Sequence, residues 1–169
     1  MNDNGNYGVS LPYPPIDDVT KNLKFAGFVN EARNDELEAI SEYIYQSIIF
    51  GEAYPELSSL LEGIATVEML HFELLSELLL KLGVNPVLNT RLRNRAIDIS
   101  EDSSSTAPRA ARRAILRDID AENSANTMYL KLAASTNDKS ASDLLIRIAK
   151  DEEMHADLLK EALEKIKVL

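Results

Sequence analysis

Two stretches decide the fold of this chain: residues 64–75, IATVEMLHFELL, and residues 148–159, IAKDEEMHADLL. Each begins Ile-Ala, carries a Glu three residues before a His, and ends Leu-Leu. Glu68-Met69-Leu70-His71 in the first recurs as Glu152-Glu153-Met154-His155 in the second, and His71 and His155 are the chain's 2 histidines. Residues i and i+3 of a helix share a face, about 4.5 Å apart along the axis. Each motif therefore aims a carboxylate and an imidazole at one point.

Outward from these motifs the apolar residues recur in steps of three and four, the period of a helix face. One stripe runs Leu57, Leu61, Ile64, Glu68, His71, Leu75, Leu78, Leu82. Before it lies Phe25, Val29, Ala32, Glu36, Ala39, Tyr43, Gln46, Phe50. After it come Ala111, Ile115, Asp118, Glu122, Ala125, Tyr129, Leu132, and then Ala141, Leu145, Ile148, Glu152, His155, Leu159, Ala162, Ile166. Pro55 suits a first helical turn, Gly83 and Pro86 form a stop, Pro108 sits near the third start, and Asn137 or Asp138 caps the fourth helix. The spacing predicts four helices of roughly 27–30 residues, about 40–45 Å each at 1.5 Å per residue.

The joints set the topology. Short joints make the first and second helices one antiparallel hairpin, and the third and fourth another. The joint at about residues 83–107, with Ser103, Ser104 and Ser105, is long enough to run the length of a bundle. The expected fold is all-α: a four-helix bundle over residues 20–169, two hairpins joined by one long crossover, the ferritin-like connection. Residues 1–19, with Pro12, Pro14 and Pro15, suit an extended arm.

Composition narrows the function. A chain of 169 residues with 45% apolar and 27% charged residues is one globular domain rather than a disordered one. With no cysteine, disulfides, thiolate metal centres and thiol nucleophiles are excluded. A net charge of −10 argues against nucleic acid or an anionic membrane as partner. No apolar run approaches the ~20 residues of a membrane helix, and the N-terminus lacks a basic and then apolar leader, so a cytoplasmic location is expected.

The stripes are interrupted by charge in one pattern. Glu36, Glu68, Glu122 and Glu152, with His71 and His155, occupy positions that packing would fill with Leu, Ile or Val. Buried carboxylates and imidazoles are costly unless paired or bound to metal. Each Glu lies about as far from its helix start as the others, so all four reach one depth. Glu36-x-x-Ala39-x-x-x-Tyr43 also recurs as Glu122-x-x-Ala125-x-x-x-Tyr129, and the halves read as an internal duplication with a pseudo-twofold site. Four carboxylates cannot all stay charged in a dry core, whereas two divalent cations neutralise them. Such bundles hold two iron or two manganese ions, and mixed carboxylate and imidazole donors suit either metal.

These motifs resemble those of the ferritin-like superfamily over about residues 20–167. DELEAISEY, residues 35–43, resembles the first-helix motif of bacterioferritins and rubrerythrins, and DIDAENSANTMYLKL, residues 118–132, the third-helix motif of manganese catalases. The resemblance implies metal ligation by Glu36, Glu68, His71, Glu122, Glu152 and His155. Glu152, a ligand in di-iron members, stands as a base beside the metals in some manganese catalases, and it is the expected proton shuttle if it is not a constant ligand. The chain lacks the cysteine-rich rubredoxin domain of full-length rubrerythrins, so an electron donor would be external. The sequence runs only from His155 to Leu169 beyond the second motif. That leaves no room for the fifth helix of cage-forming ferritins and makes a storage shell the weaker expectation. The chain is also shorter than manganese catalases.

Three residues are expected around the ligands. Asp118, one turn before Glu122, is read either as an acceptor fixing the tautomer of a ligand His or as an ion-pair partner of an arginine. Tyr43 and Tyr129, two turns beyond Glu36 and Glu122, are core residues whose hydroxyls find a partner, or they bond to the carboxylates or relay electrons. Met69, beside Glu68, reads as core or interface filling. Seven of the nine arginines fall within residues 91–117, several at a helix N-terminus where positive charge is unfavourable. They predict an acidic partner, in this chain or in another copy of it, and a homo-oligomer is expected.

The leading expectation is a redox enzyme acting on hydrogen peroxide at a dinuclear site: a catalase with manganese, a peroxidase with iron and an external donor. The alternatives are metal binding, storage or ferroxidase activity with dioxygen, and a structural role in an assembly.

Overall fold

The computed structural model describes residues 7–88, 94–95, 97 and 107–166. Four helices account for nearly all of it: α1 (Leu23–Phe50), α2 (Pro55–Leu82), α3 (Ala107–Ser135) and α4 (Lys139–Lys165), of 28, 28, 29 and 27 residues. Their ends follow local chemistry. Asn22 caps α1 by accepting from the Phe25 amide, and Asp138 caps α4 by accepting from the Ala141 amide, each satisfying a donor that the first turn leaves free. Pro55 opens α2, where its missing N–H costs nothing. Gly83 ends it at φ 93°, the left-handed region that glycine enters without a Cβ clash.

The pairing is that of two antiparallel hairpins. Between them, Tyr43 and Glu36 of α1 meet Glu122 and Tyr129 of α3, so residue numbers rise in opposite directions. Glu68 and His71 of α2 likewise meet His155 and Asp151 of α4. Since α1 is antiparallel to both α2 and α3, α3 must start at the end of the bundle opposite to where α2 finishes. The connection is traced along α1: Arg33 Nη1 donates to the Pro86 carbonyl at 2.5 Å, Ser41 to Asn94 at 3.0 Å, and the Ile97 amide to Tyr45 at 2.9 Å. Both numbers rise together, so this segment runs parallel to α1. The expected serine-rich stretch and Arg91 and Arg93 lie outside the described residues.

Two apolar clusters hold the ends of the bundle. One gathers Phe25, Val29, Leu75, Leu78, Leu82, Leu144, Leu145 and Ile148. The other gathers Phe50, Leu57, Leu61, Ile64, Ala111, Ile115 and Leu159. Between them is a polar waist. The arginine cluster resolves in part differently from the expectation of an acidic partner. Arg112 of α3 donates to the carbonyls of Leu163 and Ile166 at 3.0 and 3.1 Å, so its counterpart is the negative, carbonyl end of α4.

The N-terminal segment lies on the bundle of its own chain. Ile16 is buried, with Tyr13 and Val19 packed against the first cluster. Thr20 donates to Asp138 through its amide at 2.9 Å, and the Asn22 amide donates to the Leu82 carbonyl at 3.2 Å. Tyr7 covers Gly63 of α2 so closely that a Cβ there would clash with its ring.

Candidate metal centre

Each candidate glutamate sits near the middle of its helix. Glu36 falls about midway between Leu23 and Phe50, Glu68 between Pro55 and Leu82, Glu122 between Ala107 and Ser135, and Glu152 between Lys139 and Lys165. Midpoints of antiparallel helices of nearly equal length share one level, so the four carboxylates converge. All six predicted ligands are buried, with Glu36 the most exposed at 5%. They form two sets, Glu36, Glu68, His71 and Glu152, and Glu68, Glu122, Glu152 and His155. In each set, one candidate donor atom per residue lies within 4.8 Å of the others.

Glu68 and Glu152 belong to both sets. Glu68 presents Oε2 to His71 Nδ1 at 2.8 Å and Oε1 to His155 Nδ1 at 3.0 Å; Glu152 presents Oε1 to His71 Nδ1 at 3.2 Å and Oε2 to His155 Nδ1 at 3.5 Å. Glu36 and Glu122 serve one set each, 3.9 Å from His71 Nδ1 and 3.5 Å from His155 Nδ1. The imidazole centroids are 6.0 Å apart, and both rings turn Nδ1 inward. Two carboxylates that span the pair and two that flank it are the donor pattern of a dinuclear cation site. The buried Glu152 Oε1 and His155 Nδ1 have no hydrogen-bond partner among the described residues. Both are donor atoms aimed at the shared centre, so the residues present fit two cations.

The electrostatics of the metal-free chain follow from this crowding. Burial raises Glu36 and Glu122 well above the ordinary carboxylate range, and the charges of Glu68 and Glu152 raise them further. Burial would raise Glu68 as well, but His155 and His71 pull it below the usual range. Burial and Glu68 push Glu152 up, yet the two imidazoles overcome them and lower it. Burial disfavours imidazolium at both histidines, but Glu152 and Asp151 at His71, and Glu68, Glu122 and Glu152 at His155, raise them well above normal.

Tyr43 donates to Glu122 and Tyr129 to Glu36, each across the α1–α3 interface. Because these helices are antiparallel, the repeated Glu and Tyr, two turns apart, meet reciprocally. Both readings of the tyrosines hold together: each ring is buried in an apolar cluster, and the partner its hydroxyl finds is a carboxylate. Burial, then the adjacent carboxylate, raises both phenols well above their ordinary value.

The reading of Asp118 is corrected. It meets neither imidazole, and no ion pair to an arginine forms among the described residues. Its Oδ1 accepts from Gln46 Nε2 at 3.0 Å, because α1 crosses α3 here one turn beyond the ligands. Burial raises its carboxyl to about 7 against the lowering effect of Gln46. The acceptor for a ligand imidazole is Asp151, 3.1 Å from His71 Nε2. Asp151 directly precedes Glu152 and faces α2, so its signal was a second acidic residue beside the motif. Met69 is 55% exposed rather than core filling.

A cavity of about 440 Å³ leads to the site between α1 and α3. Buried Glu36, Glu122, Tyr43, Tyr129 and Asp118 line its inner part, and the more exposed Asp35, Glu38, Glu42, Arg95 and Arg117 its outer part.

Residues 28–169 match the model of the Ferritin-like domain, and the chain belongs to that family. A similar solved structure is a bacterioferritin from Desulfovibrio desulfuricans, described with its diiron site in different catalytic states. It is 26% identical, the match covers 86% of this chain and 81% of that one, and the TM-score is 0.70. No curated protein matches the chain. No described helix is long and apolar enough to cross a membrane.

Proposed function

We propose that this chain binds two iron ions at the waist of its bundle and oxidises ferrous iron, as a ferroxidase. The observation that carries the reading is the pair of ligand sets sharing Glu68 and Glu152. The similarity to a bacterioferritin with a diiron site favours it over the peroxide-removing enzyme expected first. Two ferrous ions supply two electrons at once, enough to reduce dioxygen to peroxide, or peroxide to two waters, with two protons taken up.

The chain's own residues prepare that step. The acidic outer cavity, with Asp35, Glu38 and Glu42, draws cations toward the opening. Burial and the neighbouring carboxylates favour the protonated form of Glu36 and Glu122 in the metal-free chain, and as ligands they would give up protons in exchange for cation charge, which keeps the low-dielectric core balanced. Tyr43 and Tyr129 fix these two carboxylates through their donated hydrogen bonds. Glu68 and Glu152 belong to both ligand sets and would each hold both ions.

The test is aerobic addition of ferrous iron to the metal-free chain, followed by ferric absorbance and oxygen uptake. The reading expects oxidation well above the rate without protein, lost in Glu68→Ala. Equal rates for the chain and the variant would overturn it. The same donors accept manganese, and the manganese catalase resemblance of residues 118–132 supports a second reading as a catalase. Oxygen release from hydrogen peroxide by the manganese-loaded chain would select that one.

A further inference from the structure

The two ligand imidazoles differ in what stands behind them. His71 is backed by Asp151, which is fully buried and holds the N-terminal arm. Its Oδ1 accepts from the Val9 amide at 2.6 Å, and its Oδ2 from the Tyr13 hydroxyl and Arg147 Nη1, each at 2.6 Å. Arg147 also donates to the carbonyls of Val9 and Leu11 at 2.6 and 2.9 Å, with its guanidinium 4.3 Å from the centroid of the Tyr13 ring. That ring meets His71 edge-on, 6.2 Å between centroids. His155 has no such backing among the described residues. It is fully buried, yet its Nε2 has no hydrogen-bond partner there, and the residue that matches Asp151 in the first repeat is Val67.

A group that holds the outer nitrogen of a ligand His fixes its ring and tautomer and raises its basicity, and losing it costs about 10–100-fold in metal affinity. His155 has only the inward-facing carboxylates at its Nδ1 and no such group at its Nε2 among the described residues. We propose that the N-terminal arm locks His71 through Asp151, making the position of Glu36, Glu68, His71 and Glu152 the tighter of two unequal metal positions. Tyr13 is then a positioning residue: it touches no ion and acts through Asp151. The inference rests on the dinuclear reading above and adds to it an order of filling, with the arm-backed position first and the His155 position as the exchangeable one.

The experiment is titration of the metal-free full chain with cobalt(II), followed by calorimetry and visible absorption. Glu122→Ala isolates the His71 position and Glu36→Ala the His155 position. Tyr13→Phe removes one bond to Asp151. Gly63→Ala displaces the Tyr7 ring and loosens the arm from a distance, and thermal melts verify that both variants fold. The expected result is two phases in the parent chain, the tighter one matching the ion of Glu122→Ala. Tyr13→Phe and Gly63→Ala should each weaken that phase by about 10-fold and leave the other unmoved. A tighter phase matching Glu36→Ala, two equal phases, equal weakening of both phases, or no response to either variant would overturn the lock while two bound ions keep the dinuclear site. No binding of cobalt by the parent chain would overturn both.

Discussion

The ends of this bundle and its waist solve opposite problems. At the ends, Leu61, Leu75, Leu78, Leu144 and Leu145 are fully buried among other apolar side chains, and burial there is favourable by about 1.5–3 kcal/mol per side chain. At the waist the same helix faces bury four carboxylates and two imidazoles, which is costly unless charge is matched. The ends can therefore carry the stability that the waist gives up, and the waist gains stability only when cations replace protons.

The sharpest break of this contrast is in the ends. Leu75→Ala should destabilise the chain by about 2–5 kcal/mol, to the same extent with and without metal, as read from denaturant midpoints. A loss confined to the metal-loaded chain would mean that the ends do not hold the fold alone. At the waist, binding should raise stability by about 2.7 kcal/mol per ion at one hundred times its dissociation constant. A chelator should reverse the gain, and Glu122→Ala should leave one ion per chain.

Proton release sharpens the comparison further. In the metal-free chain burial and neighbouring carboxylates raise Glu36 and Glu122, and the carboxylates raise His71 and His155. Binding divalent ions at these raised groups should release protons, measured with an indicator in weak buffer. Affinity should accordingly rise with pH. Release of none would mean that the carboxylates are already ionised.

Asp118 supplies a smaller and separate effect just beyond the waist. Its folded carboxyl titrates near 7, above its unfolded value. The folded state thus binds the extra proton between about pH 4 and 7, and the stability it contributes at low pH is lost as pH rises through that window. Asp118→Asn can keep the bond from Gln46 without the charge. It should match the parent near pH 4 and exceed it at neutral pH, by on the order of 2–4 kcal/mol. Thermal melts across that range decide it, and parallel curves would refute it. The smallest change is Tyr43→Phe, which removes one donor to Glu122 and should cost about 1 kcal/mol in the metal-free chain.

The helices and six candidate ligands were legible because both obey short-range rules. A period of three and four places residues on one face whatever the surroundings, and Glu-x-x-His keeps its geometry within one turn. The separate repeat of Glu-x-x-Ala-x-x-x-Tyr likewise exposed Tyr43 and Tyr129. Asp118 misled because position on a stripe says how deep a side chain sits, not which neighbour it meets; the crossing of α1 and α3 gave it Gln46. Asp151 lay directly beside a ligand in sequence, yet its partners Tyr13 and Val9 come from the opposite end of the chain.

By itself, then, the sequence determined which residues share a helix face, the midpoint depth of the four glutamates, and the need for compensating charge. These follow from helical periodicity and the cost of burying ions. Only the tertiary structure decided which glutamates face both positions, which tyrosine serves which carboxylate, and that the N-terminal arm stands behind His71 and not His155. Those choices depend on how antiparallel helices cross and where an extended segment finds its hydrogen bonds, and no local spacing encodes either.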